Sequence, residues 1–328
     1  MNNTPLPPDN LEKPDHDYLS GRVLRIGTRG SQMALAQTNL VVEELKKKLP
    51  HLKTEIVVIL TSGDWKPSHG ETRLMESKGG KGLFAHEIEE RILAGEVDCG
   101  VHSLKDMPSK LPEGLEIKHF IARGDARDAF VSKKYARLED MPPGAVLGTS
   151  SLRRKAFLLA KFPHLKVAAL RGNTPTRIEK MDQGQVDATF LGVAGLYRVG
   201  LQHRINYILE PDFFLPACGQ GTIGIEIPTS RPDVAAIFDH INCPETFLIS
   251  IAERTSLQVL DGSCHTPIGA FAQIENGRMT LRVAVAEEDG SAFFADSIEG
   301  PVSSFEDAHL MGKIIGLRLK PRLPAGIL

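Results

Sequence analysis

The chain of 328 residues is 41% hydrophobic, 24% charged and 6% aromatic, the composition of an ordinary soluble globular protein, and at about 150 residues per domain it has room for two to three domains. Its 39 Lys and Arg against 41 Asp and Glu leave a formal charge of -2, so the overall electrostatics do not favour nucleic acid as a partner. No run reaches the ~18 consecutive apolar residues of a membrane span, and the cytoplasm is the expected compartment.

Residues 1–20 hold Pro5, Pro7, Pro8 and Pro14 among Asn and Asp, which predicts a disordered N-terminal extension rather than a signal peptide. Residues 22–27 form a predicted strand, 28–31 a turn, and 32–48 a helix with Ala34, Leu35, Thr38, Val41, Val42 and Leu45 on one stripe. A strand over 56–60, a helix over 83–94 and a strand over 97–102 follow. The same order returns downstream: strand 145–148, turn 149–151, helix 152–162, strand 166–170, helix 176–181 and strand 186–191. Two signatures recur in step, Gly-Thr at 27–28 and 148–149, and Gly-x-Val-Asp at 95–98 and 184–187. Their common order predicts two similar α/β lobes. From about Cys243 the pattern changes to strands over 268–274, 279–286 and 293–298, joined by turns at Asn276-Gly277 and Asp289-Gly290, then a helix from Phe305, a smaller α+β domain.

Both lobes place small polar residues between a strand and a helix, where free N–H groups and the helix dipole converge on an anion. Arg29 and Ser31 lie in the first such turn. Thr149, Ser150, Ser151, Arg153 and Arg154 lie at the second, Arg171 and Arg177 follow the next strand, and Arg198 follows the last. Singly these are helix caps and surface charges; recurring at successive strand ends, they imply a ligand with several carboxylates or phosphates, which arginine binds bidentately. Lys105 and Asp106 stand where a strand leaves the sheet, and a carboxylate among arginines can stabilise a cation or take up a proton.

Other motifs fail. Residues 77–82 make a basic glycine-rich loop without Walker A spacing, and His86-Glu87 has Glu90 where a zincin needs histidine. Cys99, Cys218, Cys243 and Cys264 form no CxxC pair, which supports neither a zinc site nor a disulfide framework. No metal is expected. Cys264 alone sits in a Gly- and Pro-punctuated loop opening the third domain.

Nine stretches in order, RIGTRGSQMALAQ, GGKGLFAHEIE, VHSLKDMP, RDAFVS, GTSSLRR, LRGNTPTR, GVAGLYRVGL, LPACGQGTIGIE and LDGSCHTPIG, resemble the porphobilinogen deaminase (hydroxymethylbilane synthase) family. The resemblance runs from about residue 22 to 270 and loosens beyond. It implies two lobes built like periplasmic binding proteins plus a small C-terminal domain, divided as 21–121 with 222–240, 122–221, and 241–328. It further implies a dipyrromethane cofactor joined by a thioether to Cys264, on which four porphobilinogen units are condensed with loss of ammonia before the linear tetrapyrrole hydroxymethylbilane is released by hydrolysis. By similarity Arg29, Ser31, Lys81, Lys105, Ser151, Arg153, Arg154, Arg171, Arg177 and Arg198 contact cofactor and substrate. Asp106 matches the catalytic aspartate, which stabilises the azafulvene-like cation. A monomer acting on a small molecule, without nucleic acid or membrane, is expected.

Two positions depart from the family pattern: Ser77 stands where a lysine is common, and Ser256 where an apolar residue is usual, which weakens the packing expected there. Two rivals were weighed. A non-catalytic two-lobed receptor for a polycarboxylate fits the lobes, though it has no use for a third domain with a loop cysteine. A nucleotide-dependent enzyme is disfavoured by the failed phosphate-loop spacing.

Overall fold

The computed structural model describes residues 23–61, 85–262, 266–324 and 327; the expected N-terminal extension and the loop at 77–82 fall outside them. The first part of the chain runs β1 (Val23–Arg29), α1 (Gln32–Lys48), β2 (Lys53–Ile59), α2 (His86–Leu93), β3 (Cys99–Ser103) and β4 (Leu115–Phe120). It continues as β5 (Asp128–Ser132), β6 (Val146–Gly148), α3 (Leu152–Lys161), β7 (Lys166–Ala168), α4 (Thr174–Asp182), β8 (Ala188–Gly192), α5 (Val193–Arg198) and β9 (Tyr207–Leu209). The last part is β10 (Ile223–Pro228), α6 (Pro232–Asp239), α7 (Pro244–Val259), β11 (Ile268–Glu275), β12 (Arg278–Ala286), β13 (Phe293–Pro301) and α8 (Phe305–Leu319).

These strands make two five-stranded sheets of matching plan, β2-β1-β3-β10-β4 and β7-β6-β8-β5-β9, and one three-stranded sheet, β11-β12-β13. Within each large sheet the first three strands are parallel, while the fourth runs antiparallel to its neighbour and arrives from the other lobe: β10 against β3, and β5 against β8. Two connectors, 121–127 and 210–222, therefore pass between the lobes. The mixed α/β lobes and the smaller α+β sheet agree with the expected fold class.

The recurring sequence signatures touch each other in both lobes. A Cβ on Gly27 would lie 3.2 Å from Val97 Cγ2, and one on Gly148 would lie 2.9 Å from Val186 Cγ2, so each Gly-Thr needs its glycine to let the Gly-x-Val-Asp segment pack on the strand. The aspartates complete the unit. Arg25 N–H donates to Asp98 Oδ2 at 2.9 Å and Val146 N–H donates to Asp187 Oδ2 at 2.8 Å, satisfying a backbone donor on the equivalent strands β1 and β6. Gly95 and Gly184 both take positive φ, at 70° and 81°, and end α2 and α4 as αL caps do.

Helix α1 begins where Ser31 Oγ accepts from Ala34 N–H and buries Ala34, Thr38, Val41, Val42 and Leu45 of the expected stripe, with Gln37 buried and Leu35 only half-buried; Lys46, Lys47 and Lys48 at the end are favoured by the dipole. In the third domain β11 and β12 meet through Asn276 and Gly277, both with positive φ, as a two-residue hairpin demands. The Asp289-Gly290 turn differs from expectation. Ala286 pairs with Phe293 across a longer loop, and a Cβ on Gly290 would sit 2.3 Å from Ala160 N, because this loop lies against the end of α3. There Lys155 also pairs with Glu288 at 2.8 Å.

The packing expected to weaken at Ser256 is instead close. A Cβ on Gly312 would lie 2.4 Å from Ala252 O, and one on Gly316 2.7 Å from Val259 Cβ, so α8 crosses α7 over small residues. Ser256 is fully buried there, its hydroxyl donating to Glu253 O at 2.7 Å. A larger apolar side chain is not needed where the helix backbones approach this nearly.

Candidate active site

Strands β1 and β3 end side by side. Strand β1 ends on Arg29, and Gly30 leads to the Ser31 cap of α1; after β3, a single 3-10 turn carries Leu104, Lys105 and Asp106. Met107 N–H donates to Leu104 O at 3.1 Å and closes the turn. Gln37, buried on α1, donates from Nε2 to Ser103 Oγ at 2.8 Å, tying the helix to the strand end. Arg29, Ser31, Gln37, His102 and Asp106 thereby line one cleft, which brings together three of the residues singled out from sequence.

Lys105 links this edge to the second lobe. Burial pushes its ammonium down to about 8; Asp106 and Asp128 act against that, while Arg154 and Arg177 add to it. A lysine of the first lobe thus feels three charged groups of the second. Across the cleft, Ser151 Oγ caps α3 by accepting from Arg154 N–H at 3.4 Å, and Asn173 Oδ1 caps α4 by accepting from Thr176 N–H at 2.9 Å. Arg171 is buried, and Arg177 Nε donates to Gly172 O at 2.7 Å, holding the loop before α4.

Arg153 and Arg154 are committed to protein partners. Arg153 Nη2 and Arg154 Nη2 each donate at 2.7 Å to an oxygen of Asp128, while their Nη1 atoms donate to Leu215 O at 2.6 Å and Phe190 O at 2.9 Å. Gln220 adds a third donor to Asp128 at 2.9 Å. Burial alone would raise the Asp128 carboxyl, but the two guanidinium groups hold it well below the usual carboxylate range. Both arginine Nε atoms, and the Ser150 hydroxyl, are buried without a hydrogen-bond partner among the described residues. Ser150 is therefore not the helix cap; Ser151 is.

Arg198 stands at the crossing of the connectors. Its Nη2 donates to Gly221 O at 2.6 Å, and burial lowers it to about 10. Gly221, with φ of 84°, passes so near that a Cβ there would lie 2.5 Å from Gly124 O. Glu253 of α7 fastens the same crossing. Fully buried, it accepts from Arg123 at 2.8 and 3.2 Å, from Gly219 N–H at 2.7 Å and from Ala272 N–H at 2.8 Å.

Cys264 and Lys81 lie outside the described residues. On either side of Cys264, Asp261 has φ of 53°, Gly262 N–H donates to Leu257 O at 2.9 Å, and Ile268 N–H donates to Thr266 O at 2.7 Å. Sequence reasoning gave no role to Gln37, Asp128 or Glu253. The available signal for Asp128 and Gln37 was a polar residue on a buried strand or stripe, which needs a partner to stay there.

Residues 24–236 match the porphobilinogen deaminase dipyromethane cofactor binding domain, and residues 247–321 match the porphobilinogen deaminase C-terminal domain. The chain belongs to the porphobilinogen deaminase family. The porphobilinogen deaminase of Thiobacillus denitrificans is 46% identical over 296 residues, covering 90% of this chain and 94% of its own; that of Chromobacterium violaceum is 43% identical over 294 residues, covering 90% and 93%. Among solved structures, a putative methionine-binding lipoprotein from Bacillus subtilis is similar at a TM-score of 0.42 and 11% identity, covering 68% of this chain and 92% of that one. Family membership makes this chain an enzyme, a transferase with the dipyrromethane cofactor domain, rather than a receptor. No helix among the described residues is long and apolar enough to cross a membrane.

Proposed function

We propose that the chain deaminates four porphobilinogen molecules, joins them head to tail on a dipyrromethane primer held by a thioether at Cys264, and releases hydroxymethylbilane by hydrolysis. The observation that carries this reading is the Lys105–Asp106 turn at the end of β3, beside Arg29 and Ser31 on one cleft and within electrostatic reach of Arg154 and Arg177. Every pyrrole of such a chain carries an acetate and a propionate, so the ligand is a polyanion that needs many donors and cations. The donor set fits. The buried Ser150 hydroxyl and the Arg154 Nε have hydrogen-bonding capacity that no described residue uses, which an anionic ligand would satisfy.

The bound primer supplies the pyrrole carbon to which substrate is joined. Arg29, Ser31, Lys81, Lys105, Ser151, Arg171 and Arg177 would bind carboxylates. Arg153 and Arg154, oriented by Asp128, present a fixed positive wall, and Arg198 adds a cation at the connectors. Asp106 accepts pyrrole N–H groups, offsets positive charge that grows as ammonia leaves, and takes the proton lost from the attacked ring carbon. The division into 21–121 with 222–240, 122–221 and 241–328, a monomeric state and a cytoplasmic location complete the proposal.

Asp106→Asn tests it. Holoprotein of this variant, checked by intact mass and melting temperature, should turn over porphobilinogen about a thousandfold more slowly, a loss of about 4 kcal/mol of transition-state stabilisation. Turnover near that of the parent would remove Asp106 from its role.

A further inference from the structure

Arg254 is the residue after Glu253 on α7, and its side chain reaches into the first lobe. Its Nη2 donates to Pro108 O at 2.7 Å and reaches Ser109 O at 3.5 Å. Among the described residues no carboxylate forms an ion pair with it, and burial lowers it below the ordinary arginine range. A guanidinium placed in such surroundings is costly unless its hydrogen bonds are needed. Those bonds go to the two residues that follow Asp106-Met107. Pro108 has no N–H to tie the loop down from its own side.

Arg254 itself is held in register. Glu253 is locked by Arg123 and Gly219 of the two connectors and by Ala272 of β11, so α7 cannot slide past the first lobe without breaking buried charge-assisted bonds. The same helix ends at Val259, five residues before Cys264 in the sequence.

We propose that Arg254 is a positioning residue for the reaction: from the third domain it holds the loop that follows Asp106, so that the catalytic carboxylate keeps one place in the cleft beside Arg29 and Ser31. This rests on the assignment of Asp106 above. Displacement of a reacting group by an ångström costs turnover more than binding, whereas a residue that only stabilises the fold leaves the folded enzyme's kcat in place.

The test is steady-state kinetics on holoprotein of Arg254→Met, Arg254→Lys and Asp106→Asn, each verified by intact mass. For Arg254→Met the expected result is a fall in kcat of about 10- to 100-fold with KM within about twofold of the parent. Arg254→Lys, whose ammonium can still donate to Pro108 O, should recover most of the loss. Arg254→Met holoprotein with parental kcat overturns the proposal, as does a loss that lysine does not repair. If the methionine protein does not fold, Arg254→Gln is followed by amide hydrogen exchange. Faster exchange at Met107 and Ser109 with slower turnover supports the proposal, and parental exchange at those amides overturns it. Asp106→Asn with parental turnover would instead unseat Asp106, an outcome distinct from failure of Arg254 alone.

Discussion

The two lobes share a plan and bury charge on the same kind of strand, yet they neutralise it differently. In the second lobe Asp128, on antiparallel β5, is fully buried between Arg153 and Arg154. In the first lobe Glu226, on antiparallel β10, is equally buried, but it faces an imidazole instead, His102 Nε2 lying 3.0 Å from Oε2. Glu89 of α2 is buried nearby, its carboxyl pushed up to about 7 by burial and then by Glu226, against the opposing pull of His102 and His86. Gly100 makes room for this cluster, since a Cβ there would lie 2.7 Å from His102 Nε2. The same architecture therefore yields one lobe whose buried carboxylate is held ionised between two guanidinium groups, and another in which the Glu89 carboxyl, at about 7, takes up a proton near neutral pH.

The sharpest way to break this contrast is to remove each carboxylate's charge. Asp128→Asn leaves two buried guanidinium groups without their counter-ion and should cost about 3–5 kcal/mol. Glu226→Gln should cost less, about 1–3 kcal/mol, because it leaves no ion-paired guanidinium behind and relieves the repulsion of Glu89. Denaturant unfolding followed by fluorescence and circular dichroism measures both, and equal losses would contradict the distinction.

A smaller effect follows from Glu89. Its folded carboxyl sits above the ordinary value of 4.5, at about 7, so the folded protein holds a proton that the unfolded chain has released in that interval. Its contribution to stability is present below about 4.5 and is lost as pH rises through about 7. Glu89→Gln should flatten the decline in melting temperature between those limits. A decline as steep as the parent's would assign it to other groups.

The parallel strand-helix units were legible because each buries a regular stripe or run, and α1 falls at Gln32–Lys48 as its pattern predicts. Strands β4, β5, β9 and β10 escaped notice: β5 and β10 cross from one lobe to the other, and short apolar runs do not announce such non-local pairing. Helix α7 was missed for a different reason. Its buried face includes Thr246, Ser250, Glu253, Thr255 and Ser256, so polarity alternates where apolar periodicity is sought. At the site, the arginines at strand ends were visible in the sequence. Their division was not, since nothing local tells that Arg153 and Arg154 bind Asp128 or that Glu253 grips both connectors.

The central claim is that Cys264 carries a pyrrole primer for the cleft around Asp106, and intact mass spectrometry of the untreated protein tests it most directly. The native protein should exceed the mass of its polypeptide by two linked pyrroles, and Cys264→Ser should lack that increment. A native protein that weighs no more than its chain, even after incubation with porphobilinogen, would contradict the account.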